Sequence, residues 1–251
     1  WQNAMVQSFS RRRLLWLLVV MTLVAAALRL LDLTGRSMWL DEGASLLRIS
    51  GSWVDMLRGI IPVNEYITID THPPLYYVAL KAWTGVTGSN EFALKFLTAI
   101  LGLLAAPLMY VLARRLYGQR VGLIAAAIVS FSGALIWYAS EIRSYAVLVA
   151  MVALSSYVLV RFCDAPRLEM RRLAAWALAC LALVLTHYSS VVVIFGQALL
   201  LFTVFVRRRR ELGPWRLILP ALIVTTGVAV AAAVTLSPAV RAALGRMMSS
   251  A

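Results

Sequence analysis

The chain has 251 residues, of which 62% are hydrophobic and 14% charged, and its mean hydropathy is +0.83. In a soluble domain roughly a quarter of the residues are charged, because its surface faces water. The composition of this chain therefore excludes a soluble domain. The formal net charge of +13 is not a nucleic-acid signal, because most of the basic residues stand in clusters beside apolar runs. The composition therefore predicts a membrane protein whose partners are lipids and not nucleic acid.

Seven apolar runs have about the length that crosses a bilayer as a helix. They cover residues 14–31, 92–113, 121–139, 145–160, 173–186, 188–206 and 217–236. Lipid offers no partner to an unpaired backbone group, so each run is predicted to be an α-helix. Arg29 and Lys95 stand near run ends, where long side chains are expected to reach the lipid headgroups. The predicted fold class is an all-α polytopic membrane protein with one domain over residues 1–251.

The first run has a second interpretation, a cleaved signal peptide, because three arginines precede it. Its apolar core is too long for that, and no small-x-small cleavage site ends it. A retained first helix is therefore the favoured interpretation.

The arginine pattern predicts which loops face the cytoplasm. Fifteen of the 24 basic residues fall into four clusters, at 11–13, 114–120, 161–172 and 207–216, before the first run and in every second loop. Cytoplasmic loops retain positive residues. The N-terminus is therefore expected inside the inner (plasma) membrane, with residues 32–91 and the turns near 140–144 and 187 on the outer side.

The outer loop over residues 32–91 holds seven of the eleven acidic residues. Residues 40–61 place apolar side chains at roughly helical spacing, which predicts one or two amphipathic helices on the membrane surface. Pro73-Pro74 is expected to open a further helix that is too short to span the bilayer.

Polar residues of the outer segments are the candidates for chemistry. Adjacent carboxylates at Asp41 and Glu42 are typical of a general base or a metal site, although a helix N-terminus also favours such a pair. His72 stands before two prolines and is either a phosphate contact or an ordinary surface histidine.

Two further outer turns carry candidates. Glu141 and Arg143 stand two apart, and a guanidinium matches the geometry of a phosphate, whereas the neighbouring Trp137 and Tyr138 are typical of the aromatic belt. His187 follows an apolar run, where a histidine is more often a hydrogen-bond partner inside the helix bundle than a ligand contact.

Five motifs in one order resemble the bacterial GT-C glycosyltransferases of the family 39-like group, which includes protein O-mannosyltransferases and lipid A aminoarabinose transferases. The motifs are WLDEG, HPPLYY, GSNEFALKFLTAILGLLAAPLMYVLARRLYG, IWYASEIRSYA and THYS, and the resemblance covers residues 14–206. It implies transfer of a sugar from a polyprenyl-phosphate donor to an acceptor on the outer side of the inner membrane.

The resemblance also implies roles for single residues. Asp41 would be the catalytic base or, with Glu42, a metal-linked carboxylate, so a divalent metal ion stays open as a cofactor. Glu141 would be a second acid, and the donor phosphate would contact the set His72, Arg143, Tyr145 and His187.

The resemblance leaves alternatives. Relatives of this type have more spans than this sequence holds, so we expect a shortened relative or the N-terminal part of a longer protein. A non-catalytic structural or assembly subunit of a larger membrane complex is the alternative function. A transporter has little support, because no charged residue stands deep in a run and no pair of broken helices is evident.

Overall fold

The computed structural model describes residues 10–31, 33–63, 66–166 and 169–208. These form eleven helices and one hairpin in the described residues. The helices are α1 (Arg11–Leu30), α2 (Leu40–Ser50), α3 (Trp53–Arg58), α4 (Leu75–Thr87), α5 (Glu91–Leu103), α6 (Ala105–Tyr117), α7 (Gln119–Phe131), α8 (Gly133–Ala139), α9 (Tyr145–Cys163), α10 (Met170–Thr186) and α11 (Ser190–Arg207), and the strands are β1 (Ile60–Val63) and β2 (Tyr66–Ile69).

An all-α polytopic membrane protein is confirmed, but the number of seven spans is not. Among the described residues, four stretches are long and apolar enough to cross a membrane: Arg12–Leu30, Glu91–Tyr117, Tyr145–Cys163 and Ser190–Arg207. A fifth results if α7 and α8, which meet at a bend of 55°, form one broken span. Helix α10 has 17 residues, two fewer than α9. The predicted run 217–236 lies outside the described residues.

The bend between α7 and α8 is bridged by Arg29. A helix end leaves carbonyl groups without partners, and an apolar environment supplies no water to them. The Arg29 guanidinium donates to the carbonyls of Val129 and Ser130, at 3.2 and 3.0 Å, in the last turn of α7. Arg29 is only 3% exposed, so the expectation that it reaches the headgroups is wrong.

The expectation that Lys95 reaches the lipid headgroups is also wrong. It is 1% exposed, and its Nζ donates to the carbonyl of Arg36 at 2.8 Å and to Glu91 Oε1 at 2.6 Å. Both buried cations therefore satisfy polar groups inside the protein instead of extending to the lipid surface.

The loop between α1 and α5 contains the predicted helices and a hairpin that was not predicted. Helices α2, α3 and α4 lie where the amphipathic pattern and the two prolines place them, and Pro74 is the residue that precedes α4. Strands β1 and β2 pair antiparallel, with Ile60 opposite Ile69.

The hairpin depends on Gly59. This residue has φ +73°, and a Cβ there would lie 2.1 Å from the carbonyl oxygen of Asp70. Asp70 in turn donates its N–H to the Gly59 carbonyl at 2.8 Å. A glycine therefore lets the strand pair close tightly and sets Asp70 beside α2.

The basic clusters gather at one end of the helices. Arg115 pairs with Asp164 at 2.9 Å, and Arg208 donates to the carbonyl of Ala165 at 2.6 Å. The polar residues of the predicted outer turns contact one another at the opposite end. The two ends of the helix bundle are thus chemically distinct.

Helices α5 and α9 pack closely at Gly102, where a Cβ would lie 2.7 Å from the Ala146 Cβ. Replacing Gly102 with leucine should therefore force the helices apart and destabilise the protein by about 1–3 kcal/mol, the usual cost of overpacking. The matched control is Gly196→Leu on α11, where a Cβ has no neighbour within 4 Å. The measurement is the apparent midpoint of thermal unfolding in one detergent, and equal midpoints for the two variants would contradict the close packing.

Candidate active site

Arg143 lies at the centre of a polar cluster, between the end of α8 and the start of α9. It is 5% exposed, and its Nη2 lies 2.9 Å from His72 Nε2 and 3.7 Å from Asp41 Oδ2. Its Nη1 donates to the Tyr77 hydroxyl at 3.3 Å. Burial lowers the pKa of Arg143, but the neighbouring Tyr77, Tyr145 and Asp41 raise it by more, so the guanidinium stays charged.

His72 is oriented by Asp70. The Asp70 Oδ1 accepts from the backbone N–H of His72 at 2.9 Å and from its Nδ1 at 2.5 Å. With the proton on Nδ1, the His72 Nε2 is free to accept from Arg143. Burial raises the pKa of Asp70, but the hydrogen bonds from His72 and the charge of Arg48 outweigh it, and the net pKa lies below its usual range.

Arg48 holds both Asp70 and His72 in place. It is fully buried on α2, and its Nη1 donates to Asp70 Oδ2 at 2.8 Å and to the carbonyl of His72 at 2.9 Å. Its guanidinium also lies 3.9 Å from the centre of the Tyr77 ring. Burial and the nearby charge of Asp70 raise the pKa of Tyr77 to about 12, so its hydroxyl stays protonated at neutral pH.

Sequence reasoning missed Arg48, Asp70 and Tyr77. Asp70 could have been found, because a carboxylate two residues before a histidine is a common way of orienting its ring. The position of Arg48 carried no such signal, since it lies 22 residues from Asp70.

His187 and Tyr145 also belong to the cluster. The His187 ring lies 6.0 Å from the His72 ring and 5.6 Å from the Tyr145 ring, and Tyr145 lies 5.8 Å below the Arg143 guanidinium. The His187 Nδ1 accepts from the N–H of Ser189 at 3.2 Å, which leaves the ring proton on Nε2. Burial lowers the pKa of His187, and the neighbouring His72 and Arg143 lower it further, so the ring is neutral at pH 7.

Asp41 is the accessible carboxylate of the cluster. It stands in the first turn of α2, and its side chain is 40% exposed while that of Arg143 is almost fully covered. A carboxylate open to solvent thus lies beside a buried cation, two histidine rings and a tyrosine. Such a site can take up an anion on its cationic side and accept a proton on its carboxylate side.

Glu42 and Glu141 do not join this cluster. Glu42 is 2% exposed, and its two oxygens accept the N–H groups of Ile142 at 2.8 Å and Trp39 at 3.2 Å. Glu141 accepts from the Trp137 Nε1 at 2.6 Å and faces a separate cavity together with Glu42. Of the three acidic candidates, Asp41 alone therefore lies beside Arg143.

The carboxylates do not fit a metal site. Asp41 faces the cation Arg143, and both oxygens of Glu42 already accept backbone hydrogen bonds. Within the described ranges, no group of three histidine, cysteine or acidic side chains is placed to hold a metal ion.

Comparison with known proteins identifies the family. No curated protein sequence matches the chain. The family model described as dolichyl-phosphate-mannose-protein mannosyltransferase matches residues 71–236. This stretch contains His72, Arg143, Tyr145 and His187, while Asp41 precedes it. Because the match covers well over half of the 251 residues, the chain belongs to this family and is a membrane glycosyltransferase of the GT-C type.

Proposed function

We propose that the protein transfers a sugar from a polyprenyl-phosphate donor to an acceptor hydroxyl or amine on the outer side of the inner membrane, with Asp41 as the general base. The observation that carries the proposal is the buried Arg143 guanidinium between two partners, His72 Nε2 at 2.9 Å and Asp41 Oδ2 at 3.7 Å. A fixed cation and an accessible carboxylate are the two groups that such a transfer needs.

The donor phosphate would bind at Arg143. A guanidinium offers several N–H groups in a planar fork that matches phosphate oxygens. His187 holds its proton on Nε2 and lies close to Tyr145, so the imidazole N–H and the phenol are further donors on the same side. His72 accepts from Arg143 and thereby fixes the direction of the guanidinium.

The reaction breaks the bond between the sugar carbon and the phosphate oxygen. The acceptor oxygen or nitrogen forms the new bond to that carbon and gives its proton to Asp41. The bonding pair leaves with the polyprenyl phosphate, whose negative charge grows in the transition state. Arg143 stabilises that charge, and it does so strongly because it is already held in place by the protein.

Donor binding would also release the base. Asp41 Oδ2 lies 3.7 Å from Nη2 of the Arg143 guanidinium. A phosphate that binds Arg143 competes for the same N–H groups, which frees Asp41 to accept a proton. The long distance between Asp41 and Arg143 favours this exchange, because the contact that is lost is weak.

The orientation of the site is also a proposal, supported by the arginine clusters at the opposite end of the helices. With Cys163 and Cys180 replaced by alanine, Gly43→Cys should react with an impermeant maleimide in right-side-out membrane vesicles. A Cβ at Gly43 has no neighbour within 4 Å, so the new thiol is unhindered. The control is Tyr117→Cys, an exposed position at the other end, which should react only after the vesicles are opened. The opposite pattern would place the site on the cytoplasmic face.

Asp41→Asn keeps the shape of the side chain but cannot accept a proton at neutral pH. Loss of a general base costs about 10²–10⁴-fold in rate, so transfer from a labelled polyprenyl-phosphate sugar to membrane acceptors should fall by that factor. The matched control is Asp55→Asn on α3, where the carboxylate accepts from the Ser52 hydroxyl at 2.6 Å and lies outside the cluster. Normal transfer by Asp41→Asn would refute its role as the base.

Arg143→Lys keeps the charge but loses the planar fork. Because charge-assisted hydrogen bonds contribute about 1.5–3 kcal/mol, the KM for the lipid-linked donor should rise about 10- to 100-fold. Arg58→Lys, an exposed position at the end of α3, is the control and should leave the KM unchanged. An unchanged KM in Arg143→Lys would place the donor phosphate elsewhere.

A further inference from the structure

A second concentration of charge lies at the other end of the helix bundle, where α1 begins and α6 turns into α7. Leu14 of α1, Tyr110 of α6 and Ala126 of α7 pack together in one small buried core, which holds the three helices side by side. Helices α6 and α7 approach each other so closely there that a Cβ on Gly122 would lie 2.9 Å from the Arg114 Cβ. Side chains one turn beyond this core therefore share one area of surface at the end of the bundle.

Each of the three helices contributes an exposed arginine to that surface. Arg13 of α1 directly precedes Leu14. Arg114 stands one turn after Tyr110 on α6, and its Nη1 donates to the Tyr110 hydroxyl at 3.4 Å. Arg120 stands one turn before a leucine of α7 that packs against the same core. Together, Arg13, Arg114 and Arg120 form a basic patch.

The basic patch has no carboxylate to balance it. The sequence contains no aspartate or glutamate in residues 1–31 or 92–140, which include all of α1, α6 and α7. In the part of the chain that the structure describes, none of the three guanidinium groups forms an ion pair. Neighbouring cations repel one another, so an anion that binds among them lowers the free energy. The partner that fits this surface is therefore anionic.

Two aromatic rings place the basic patch at the level of the lipid headgroups. Trp16, in the second turn of α1, is 61% exposed, and Tyr117, the last residue of α6, is 71% exposed. Tryptophan and tyrosine are enriched where a membrane meets water. Further from the patch, α1 and α7 expose large apolar side chains that suit acyl chains, among them Leu23, Ile124 and Ile128. A ligand with an anionic headgroup and acyl chains therefore matches both parts of this surface.

We propose that the basic patch binds the phosphate of an anionic phospholipid of the phosphatidylglycerol type, whose acyl chains lie along the apolar faces of α1 and α7. A guanidinium matches the geometry of phosphate oxygens, and basic residues at a membrane surface favour anionic lipids. Because the three arginines come from three helices, the bound lipid also ties the ends of these helices together. The site lies at the opposite end of the bundle from Arg143 and takes no part in the sugar transfer proposed above.

The test measures the affinity for lipid directly. The full chain in dodecyl maltoside micelles is titrated with dioleoyl phosphatidylglycerol and, separately, with dioleoyl phosphatidylcholine, and the bound lipid is counted by native mass spectrometry. The wild-type protein should bind phosphatidylglycerol about tenfold more tightly than phosphatidylcholine at low ionic strength. Arg13→Gln and Arg120→Gln should each raise the half-saturating concentration of phosphatidylglycerol about fivefold. Both guanidinium groups are exposed and form no hydrogen bond within the described residues, so the fold should survive their loss.

The matched control is Arg171→Gln. This variant removes the same charge from the same end of the bundle, but Arg171 stands on α10, where its guanidinium pairs with Glu169 at 2.6 Å. It should bind phosphatidylglycerol like the wild type. The proposal is overturned if the wild type binds the two lipids equally well. It is also overturned if Arg171→Gln weakens binding as much as Arg120→Gln does, because the attraction would then depend only on net charge.

A soluble phosphate compound is distinguished from a lipid by competition. Glycerophosphate carries the same anionic group without acyl chains, and it is added to the wild-type protein that holds phosphatidylglycerol. The lipid should stay bound at an equal concentration of the competitor, because the apolar faces of α1 and α7 contribute to its binding. Displacement of the lipid under these conditions would assign the basic patch to a soluble phosphate and overturn the proposal.

Discussion

The buried ion pair between Arg48 and Asp70 supports the candidate site through a chain of contacts. Asp70 binds both the backbone and the ring of His72, and His72 accepts from Arg143. Arg48 also donates to the carbonyls of Met56 and His72, so the same side chain ties α3 and the segment before α4 to α2. Loss of one partner of a buried pair typically costs about 3–5 kcal/mol, because the other charge is left without compensation. The position of the proposed phosphate-binding arginine is therefore set by residues that do not themselves face a substrate.

The sequence predicted those parts of the fold that depend on local pattern. The apolar runs and the two prolines before α4 located most of the helices, because an apolar stretch and a proline act on the backbone near them. The arginine clusters placed Asp41 and Arg143 on the same side of the membrane, and in the structure the two side chains lie 3.7 Å apart.

The remaining features depend on partners far apart in the chain. Glu42 binds the N–H of Ile142, one hundred residues away, and Arg29 binds carbonyls at a similar separation. Hydrophobic pattern reports that a segment is apolar, but it carries no information about which backbone carbonyl a buried cation will satisfy. The hairpin was missed for a related reason, because two strands of four residues each are too short for a pattern to separate them from a loop.

The divergence of Asp41 and Glu42 explains how adjacent carboxylates serve different purposes. Successive residues of a helix point about 100° apart, so in the first turn of α2 one side chain faces Arg143 and the next faces Ile142. Glu141 and Arg143 lie in the non-helical connection between α8 and α9, and they too face different partners, Trp137 and His72. Glu42 links these two segments by its hydrogen bond to Ile142, which fixes the distance between Asp41 and Arg143. The proposed base and the proposed phosphate-binding cation are thus held in register by Glu42, whose two oxygens both accept backbone N–H groups.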